Sequence, residues 1–296
     1  MKNKYRNIFL AFGIVAVLIM IFTFDMDYQE LWANLKRAGV YLPLVLLLWL
    51  FVYLINTTSW YIIIRSGGKP GFSFARLYKF TVTGFALNYV TPVGLMGGEP
   101  YRIMELKPYI GVERATSSVI LYVMMHIFSH FCFWLSSVLL YLCLYPVGWV
   151  MGTILGTITV FCLLVAMLFV KGYQHGMAVA FVRLGSHLPF LKKKVIRFAD
   201  SHREQLENID KQIALLHQQK KGAFYAALFL EYTARVVSCL EIWLILNVLT
   251  RSVSFADCCL IAAFSSLLAN LLFFLPMQLG GREGGFALSL IHISEP

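Results

Sequence analysis

Two short segments of the chain carry the same pattern of helix-breaking and acidic residues. Pro92–Arg102 reads PVGLMGGEPYR, Pro276–Glu283 reads PMQLGGRE, and both contain the spacing P-x-x-L-x-G-x-E. An asparagine stands shortly before each copy, at Asn88 and Asn270. Paired segments that interrupt apolar sequence at corresponding places are typical of transport sites at an internal repeat. The alternative is a chance likeness between two Gly/Pro loops that connect membrane helices.

The residue types in these segments suit the binding of a charged headgroup. Glycines let backbone amides approach a ligand closely, and a helix that restarts near Glu99 would offer free N–H groups to a phosphate. Arg102 could bind a phosphate through two N–H groups. Glu99 would repel a phosphate, so its expected partners are Arg102, a hydroxyl group or a coupling proton. An ion pair between helices is the structural alternative. The predicted substrate-binding residues are Asn88, Pro92, Gly94, Gly97, Gly98, Glu99, Arg102, Asn270, Pro276, Gly280, Gly281, Arg282 and Glu283.

Ionisable side chains also interrupt two other apolar segments. Glu231, Arg235 and Glu241 have the spacing of one helix face. Ionisable groups inside a membrane are costly and face the protein interior or a wet cavity. His126 and His130 share a face of another segment, but no third ligand lies near them in sequence, so a metal site is not expected. We predict that these five residues line a cavity. An internal salt bridge between Glu231 and Arg235 is the alternative for the first segment, and polar packing is the alternative for the second.

The composition places the chain in a membrane. Hydrophobic residues make up 59% and charged residues 14% of the sequence, whereas soluble domains carry roughly 25% charged residues. The net charge of +10 comes from Lys and Arg between apolar runs. The positive-inside rule and contact with anionic lipid headgroups both account for it, so a nucleic-acid partner is not expected. The six cysteines form no C-x-x-C pair, and neither a zinc site nor a disulfide framework is indicated.

The apolar runs predict an all-α polytopic membrane protein. Lys2, Lys4 and Arg6 precede the first run, so we expect a cytoplasmic N-terminus. A short amphipathic helix is predicted over Tyr28–Gly39 at the outer interface. Five full spans are expected near Ile8–Phe24, Tyr41–Ile64, Ala115–Tyr145, Val150–Val170 and Ala223–Leu249.

Two further apolar segments, Phe72–Val90 and Phe255–Leu275, each lead into one of the paired motifs. Basic residues flank the first on both sides, so we predict that it enters the membrane and returns as a re-entrant helical hairpin. Three spans separate the two hairpins, and an odd number inverts the second copy, giving an inverted repeat.

The many Lys and Arg residues of the segment 171–222 predict a basic, amphipathic connector on the cytoplasmic side. A new apolar segment begins at Phe286 shortly before residue 296, and residues 292–296 resemble read-through of a sequencing adapter. We therefore treat residues 1–296 as a single transmembrane domain whose C-terminus is truncated, with one or more spans expected beyond residue 296.

The motifs, the span pattern and the length resemble the membrane domain of lysylphosphatidylglycerol synthases, whose stand-alone relatives are described as flippase-like or YbhN/AglD-type proteins. The resemblance implies re-entrant helices and the movement of an anionic or aminoacylated phospholipid between leaflets. Fused members carry a separate aminoacyltransferase domain, which these residues lack, so no transferase activity and no cofactor are expected. Arg282 interrupts the Gly-Gly-Glu order of the first motif. The residues that carry the resemblance are Asn88, Pro92, Gly94, Gly97, Gly98, Glu99, Arg102, Asn270, Pro276, Gly280, Gly281 and Glu283.

The sequence thus predicts a flippase-like lipid translocase, or a lipid-binding transporter, of the bacterial cytoplasmic (inner) membrane. One alternative is a proton-coupled transporter of a small solute that uses the same acids. Another is a non-transporting partner of enzymes that modify envelope lipids or glycans. Assembly into a homo-oligomer is left open.

Overall fold

The computed structural model describes residues 28–90, 97–175, 207, 211, 221–249 and 253–271, and the structural statements below concern these residues. Every regular element among them is an α-helix. In chain order the helices are α1 (Tyr28–Ala38), α2 (Tyr41–Ser66), α3 (Phe74–Val90), α4 (Gly98–Ile110), α5 (Val112–Leu144), α6 (Trp149–His175), α7 (Lys221–Leu249) and α8 (Phe255–Leu271).

Three of these helices, α2, α5 and α6, are long and apolar enough to cross a membrane. A bilayer core about 30 Å thick requires about 20 apolar helical residues, and these helices contain 26, 33 and 27 residues. The second, third and fourth predicted spans are confirmed as apolar helices. Helix α7 is equally long, but Glu231, Arg235 and Glu241 interrupt its apolar sequence, so its crossing remains a prediction.

The predicted amphipathic segment and both hairpin segments are helical in the structure, as α1, α3 and α8. The first predicted span, most of the basic connector, the turn at residues 91–96 and the second motif lie outside the described residues. Re-entrant paths and the inverted repeat therefore remain predictions.

The connection between α2 and α3 is fixed by Arg114 of α5. Its Nη2 donates to the carbonyl of Ile64 at 2.7 Å and to that of Gly68. A helix leaves its last carbonyls without partners, and a basic side chain near the C-terminus can satisfy them. Gly68 has φ +125°, a conformation that glycine adopts without strain.

The described residues form two compact units. Unit 1 contains residues 28–53, 79–90, 97–101, 236–249 and 253–271, and unit 2 contains residues 54–78, 102–175 and 221–235. In unit 1, Ile242 and Leu246 of α7 pack against Cys258 and Ile261 of α8. In unit 2, α5 packs against α6, and the largest fully buried apolar side chains are Trp60, Tyr122, Ile64, Leu77, Leu106 and Met125.

Large apolar side chains also cover the outside of the long helices. Leu46 and Leu47 of α2, Leu139 of α5, and Val160 and Leu164 of α6 are all more than half exposed. Exposed apolar side chains of this kind promote aggregation in water, whereas lipid tails can cover them. Several polar side chains are instead buried, among them Asn56, Arg102 and Glu231.

Candidate functional site

The first motif meets α3 through a single asparagine in unit 1. Asn88, near the end of α3, accepts a hydrogen bond on Oδ1 from the backbone N–H of Gly98 at 2.6 Å. Its Nδ2 donates to Oε1 of Glu99 at 3.1 Å. The first N–H groups of a helix lack partners within that helix, so Asn88 caps the start of α4 and orients Glu99 at once. The structure thus brings together three residues that the sequence placed in one site.

Gly98 allows the two helices to approach each other. A Cβ atom at this position would overlap the carbonyl oxygen of Gly84 and would stand 2.8 Å from Oδ1 of Asn88. Both glycines are buried. Gly97 is half-buried beside them, while Pro92 and Gly94 lie outside the described residues. The glycine at 98 is therefore required by close backbone packing.

Replacing Asn88 with aspartate should destabilise this contact. The substitution turns the donor that faces Glu99 into a carboxylate oxygen at the same distance, so a hydrogen bond becomes a repulsion between like charges. The loss of one partner of a buried hydrogen bond costs about 1–3 kcal/mol. We expect a lower unfolding temperature in detergent for Asn88→Asp. The matched control is Asn247→Asp, because the Asn247 amide donates to the Trp243 carbonyl of its own helix and no acidic partner of it is seen among the described residues. Equal unfolding temperatures for the two variants would contradict the assigned contact.

The second motif is described only at its leading asparagine. Asn270 is exposed, and its Nδ2 donates to the carbonyl of Ser266 at 2.7 Å within α8. The remaining predicted residues of this copy lie outside the described residues: Pro276, Gly280, Gly281, Arg282 and Glu283.

A carboxylate is fully enclosed in unit 2. The side chain of Glu231 on α7 is 0% exposed. Its Oε2 accepts a hydrogen bond from Nδ2 of Asn56 on α2 at 2.9 Å and lies 2.8 Å from Nδ1 of His126 on α5. Its Oε1 has no hydrogen-bond partner among the described residues. Three helices therefore meet at one carboxyl group that still has acceptor capacity.

Arg235, one turn further along α7, also contacts α5. Its Nε donates to Oγ of Ser129 at 2.8 Å, and its Nη2 donates to the carbonyl of His126 at 2.9 Å. The Tyr232 hydroxyl also lies 3.0 Å from that of Ser136 on α5. Polar contacts on successive turns thus fix α7 against α5.

Arg102 of α4 is 1% exposed, and its guanidinium lies beside two aromatic rings. Its guanidinium carbon is 5.7 Å from the ring centroid of Trp60 and 5.2 Å from that of Tyr122. A guanidinium above an aromatic face is attracted by the ring quadrupole, most strongly where water is excluded. The sequence predicted Arg102 as a phosphate ligand beside Glu99. The structure places its guanidinium in unit 2 on an aromatic pair.

The other predicted cavity residues divide between the units. The His130 ring lies 5.8 Å from that of His126 and 5.6 Å from that of Trp134, all in unit 2. Glu241 is half-buried on the part of α7 that belongs to unit 1. The stripe predicted from helical spacing therefore contributes Glu231 and Arg235 to one cluster, while Glu241 lies outside it.

Sequence reasoning missed the partners of these charges. Asn56, Trp60, Tyr122 and Ser129 hold Glu231, Arg102 and Arg235, yet none was predicted as a site residue. A signal was present in α2, where Asn56–Ser59 places four polar residues within an otherwise apolar helix. Polar side chains within a membrane helix call for partners inside the protein.

Glu231, His126, Arg235 and Arg102 form the buried cluster of ionisable groups in unit 2, in which Tyr122 contacts both His126 and Arg102. With His126 neutral the cluster carries two guanidinium groups and one carboxylate, for a formal charge of +1. Replacing a buried set of charges with apolar groups of similar size is often neutral or stabilising. Stability alone therefore does not account for such a set. Inside a membrane, such groups mark substrate, ion or proton pathways.

Comparison with known protein families gives a match over almost the whole chain. The family described as "Lysylphosphatidylglycerol synthase TM region" matches residues 8–296, a range that includes both motifs and the buried cluster. Comparisons with curated proteins and with solved structures find no match.

Proposed function

The chain belongs to the family of the lysylphosphatidylglycerol synthase TM region, and from this premise we propose that it moves a phospholipid between the two leaflets of its membrane. Family membership and the apolar spans support a multi-pass membrane protein with a role related to lipid. We further propose an anionic or aminoacylated phospholipid as the substrate, the bacterial cytoplasmic membrane as the location, and transport without catalysis as the activity.

One observation carries the proposal: polar and charged groups are enclosed in unit 2, while the outer faces of its long helices are apolar. Glu231 is fully enclosed and Arg102 nearly so, yet Leu139 and Leu164 are largely exposed. A charged lipid headgroup cannot cross the hydrocarbon core alone, so a translocase must offer it polar groups inside a shell that faces lipid. The enclosed charges and the apolar outer faces of unit 2 therefore support a translocase.

The first motif supports the choice of a headgroup as the ligand. Glu99 begins α4 next to the capped amide of Gly98, and Asn88 orients its carboxylate. A carboxylate oxygen can accept a hydrogen bond from an ammonium or hydroxyl group of a ligand. We propose that Glu99 binds the headgroup during its passage.

Proton-coupled transport of a small solute is a second candidate. The observation in its favour is the contact between His126 and Glu231, because chains of His and acidic residues form proton relays in transporters. A solute transporter would leave labelled phospholipid in its original leaflet, so the assay below separates the two candidates.

Replacing Glu99 with glutamine should slow lipid movement while leaving the fold intact. Glutamine keeps an oxygen that can accept the hydrogen bond from Asn88, so only the charge is lost. A hydrogen bond to a charged group contributes about 1.5–3 kcal/mol, equivalent to about a tenfold or greater change in rate. The rate is measured in proteoliposomes as the loss of dye-labelled phosphatidylglycerol or phosphatidylethanolamine from the leaflet exposed to a membrane-impermeant quencher.

Glu105→Gln is the matched control, because Glu105 lies on the same helix and is only half-buried. We expect it to move lipid at the wild-type rate. Equal rates for Glu99→Gln and the control would remove Glu99 from the site. An absence of movement by the wild-type protein with any phospholipid tested would count against the function itself and favour a non-transporting partner.

A further inference from the structure

The contact between Glu231 and His126 has the features of a binding site for a very small ligand. The Glu231 side chain is fully enclosed, and its Oε1 lacks a hydrogen-bond partner among the described residues. The side chain of His126, 2.8 Å away, is 33% exposed. The species that such a contact can exchange is a proton, which the imidazole can carry to the enclosed carboxylate.

We propose that His126 and Glu231 form a proton-binding site that couples lipid movement to a proton gradient; the coupling, but not the proton binding, rests on the proposed function. In the neutral ring, Nδ1–H donates to Oε2 of Glu231. A proton from water forms one new N–H bond at Nε2, and the resulting imidazolium pairs with the carboxylate. Release breaks the same N–H bond and returns the proton to water, so no other reactant is needed.

Charged and titratable groups surround the His126–Glu231 pair and determine the net charge of the cluster. Arg235 lies on the same helix as Glu231, Arg102 enters from α4, and His130 and Tyr122 flank His126 along α5. Asn56 and Trp60 of α2 complete the surroundings and do not titrate. The cluster has a formal charge of +1 before proton uptake and +2 afterwards. A single proton therefore changes the charge of an enclosed cluster, where electrostatic energies are largest.

His126 also holds the contact between α5 and α7. Its ring contacts Glu231, and its carbonyl accepts a hydrogen bond from Nη2 of Arg235. Both partners belong to α7, one turn apart. Proton uptake at this ring alters the balance of forces between two helices, and a ligand that favours one arrangement shifts the population toward it. Proton binding thereby changes how α5 packs against α7, and this change links proton binding to lipid movement.

Proton binding is tested directly by nitrogen NMR of ¹⁵N-histidine-labelled full-length protein in liposomes. The spectrum of His126→Gln identifies the His126 signals by their absence. We expect these signals to convert from neutral imidazole to imidazolium as the pH of the medium is lowered. In Glu231→Gln, loss of the adjacent charge should lower the proton affinity of the ring by about tenfold or more. A ring that keeps one protonation state, or one unaffected by Glu231→Gln, would overturn the proton site.

Coupling is tested in proteoliposomes with an imposed pH gradient. For one coupled proton, the ratio of labelled phosphatidylglycerol between the leaflets should change by up to about tenfold per pH unit. His126→Gln should make that ratio independent of the gradient, whereas Glu113→Gln, exposed at the start of α5, should respond as the wild type does. A titrating His126 together with a gradient-independent ratio in the wild type would overturn the coupling. Wild-type protein that moves no lipid would count against the proposed function and its coupling, while the NMR result would still decide the proton site.

Discussion

Gly98→Ala is expected to displace α4 from α3 and to disrupt the first motif more strongly than any exchange of its polar side chains. The added Cβ overlaps the carbonyl oxygen of Gly84, which belongs to helix backbone and cannot rotate away. Overpacking of a buried contact costs about 1–3 kcal/mol. Asn88 must move as well, because its Oδ1 would lie 2.8 Å from the new atom. We therefore expect a lower unfolding temperature and lipid movement slowed at least as much as in Glu99→Gln.

Gly156→Ala is the control for this prediction. Gly156 lies within α6, and a Cβ there would meet no atom within 4 Å. Alanine is favoured over glycine inside a helix by about 1 kcal/mol, so this variant should be as stable as the wild type or more stable. Thermal unfolding of both variants in the same detergent gives the comparison. A Gly98→Ala protein as stable as Gly156→Ala would show that α3 and α4 do not approach each other closely.

Gly98 and Gly156 differ in what surrounds them, which a local stretch of sequence does not predict. Other features of the fold depend on one continuous segment and were predictable. Helices α2, α5 and α6 were predictable because span length and hydropathy are properties of a continuous segment. The sequence placed Asn88 and Glu99 in one site, 11 positions apart, but their hydrogen bond was not predicted. The closeness of Gly84 and Gly98 was not predicted, because it depends on how two helices face each other.

The charged residues of the buried cluster on α7 were predictable from the sequence, but the residues that they contact were not. Charge in an apolar segment identified Glu231 and Arg235, and helical spacing placed them on one face. Their partners come from positions 175 residues away, at Asn56, and 106 residues away, at Ser129. Spacing within one helix also suggested a salt bridge between Glu231 and Arg235 and a phosphate contact for Arg102. The rotation of each helix about its axis decides such contacts, and no local pattern records it.

Stability alone does not explain the charges of the cluster. A buried set of charges is often matched or exceeded in stability by apolar residues of similar volume. Unit 2 already has a large apolar core, which includes Leu106 and Met125. Such a core can stabilise the unit without charges, although removing one charge alone leaves the others uncompensated.

Glu231→Ala should consequently be among the most damaging single substitutions in the described part of the chain. It removes the acceptor of Asn56 and the carboxylate beside His126, and leaves two guanidinium groups without the negative charge of the cluster. Breaking a buried charged set in this way costs about 3–5 kcal/mol. Glu231→Gln fills nearly the same volume and keeps an oxygen for Asn56, so it should lose much less stability while it loses the response to a pH gradient. Thermal unfolding and gradient-dependent lipid movement, measured on both variants, separate the structural part of the role from the functional part. If Glu231→Ala unfolds at the temperature of Glu231→Gln, the carboxylate does not hold α2, α5 and α7 together as described.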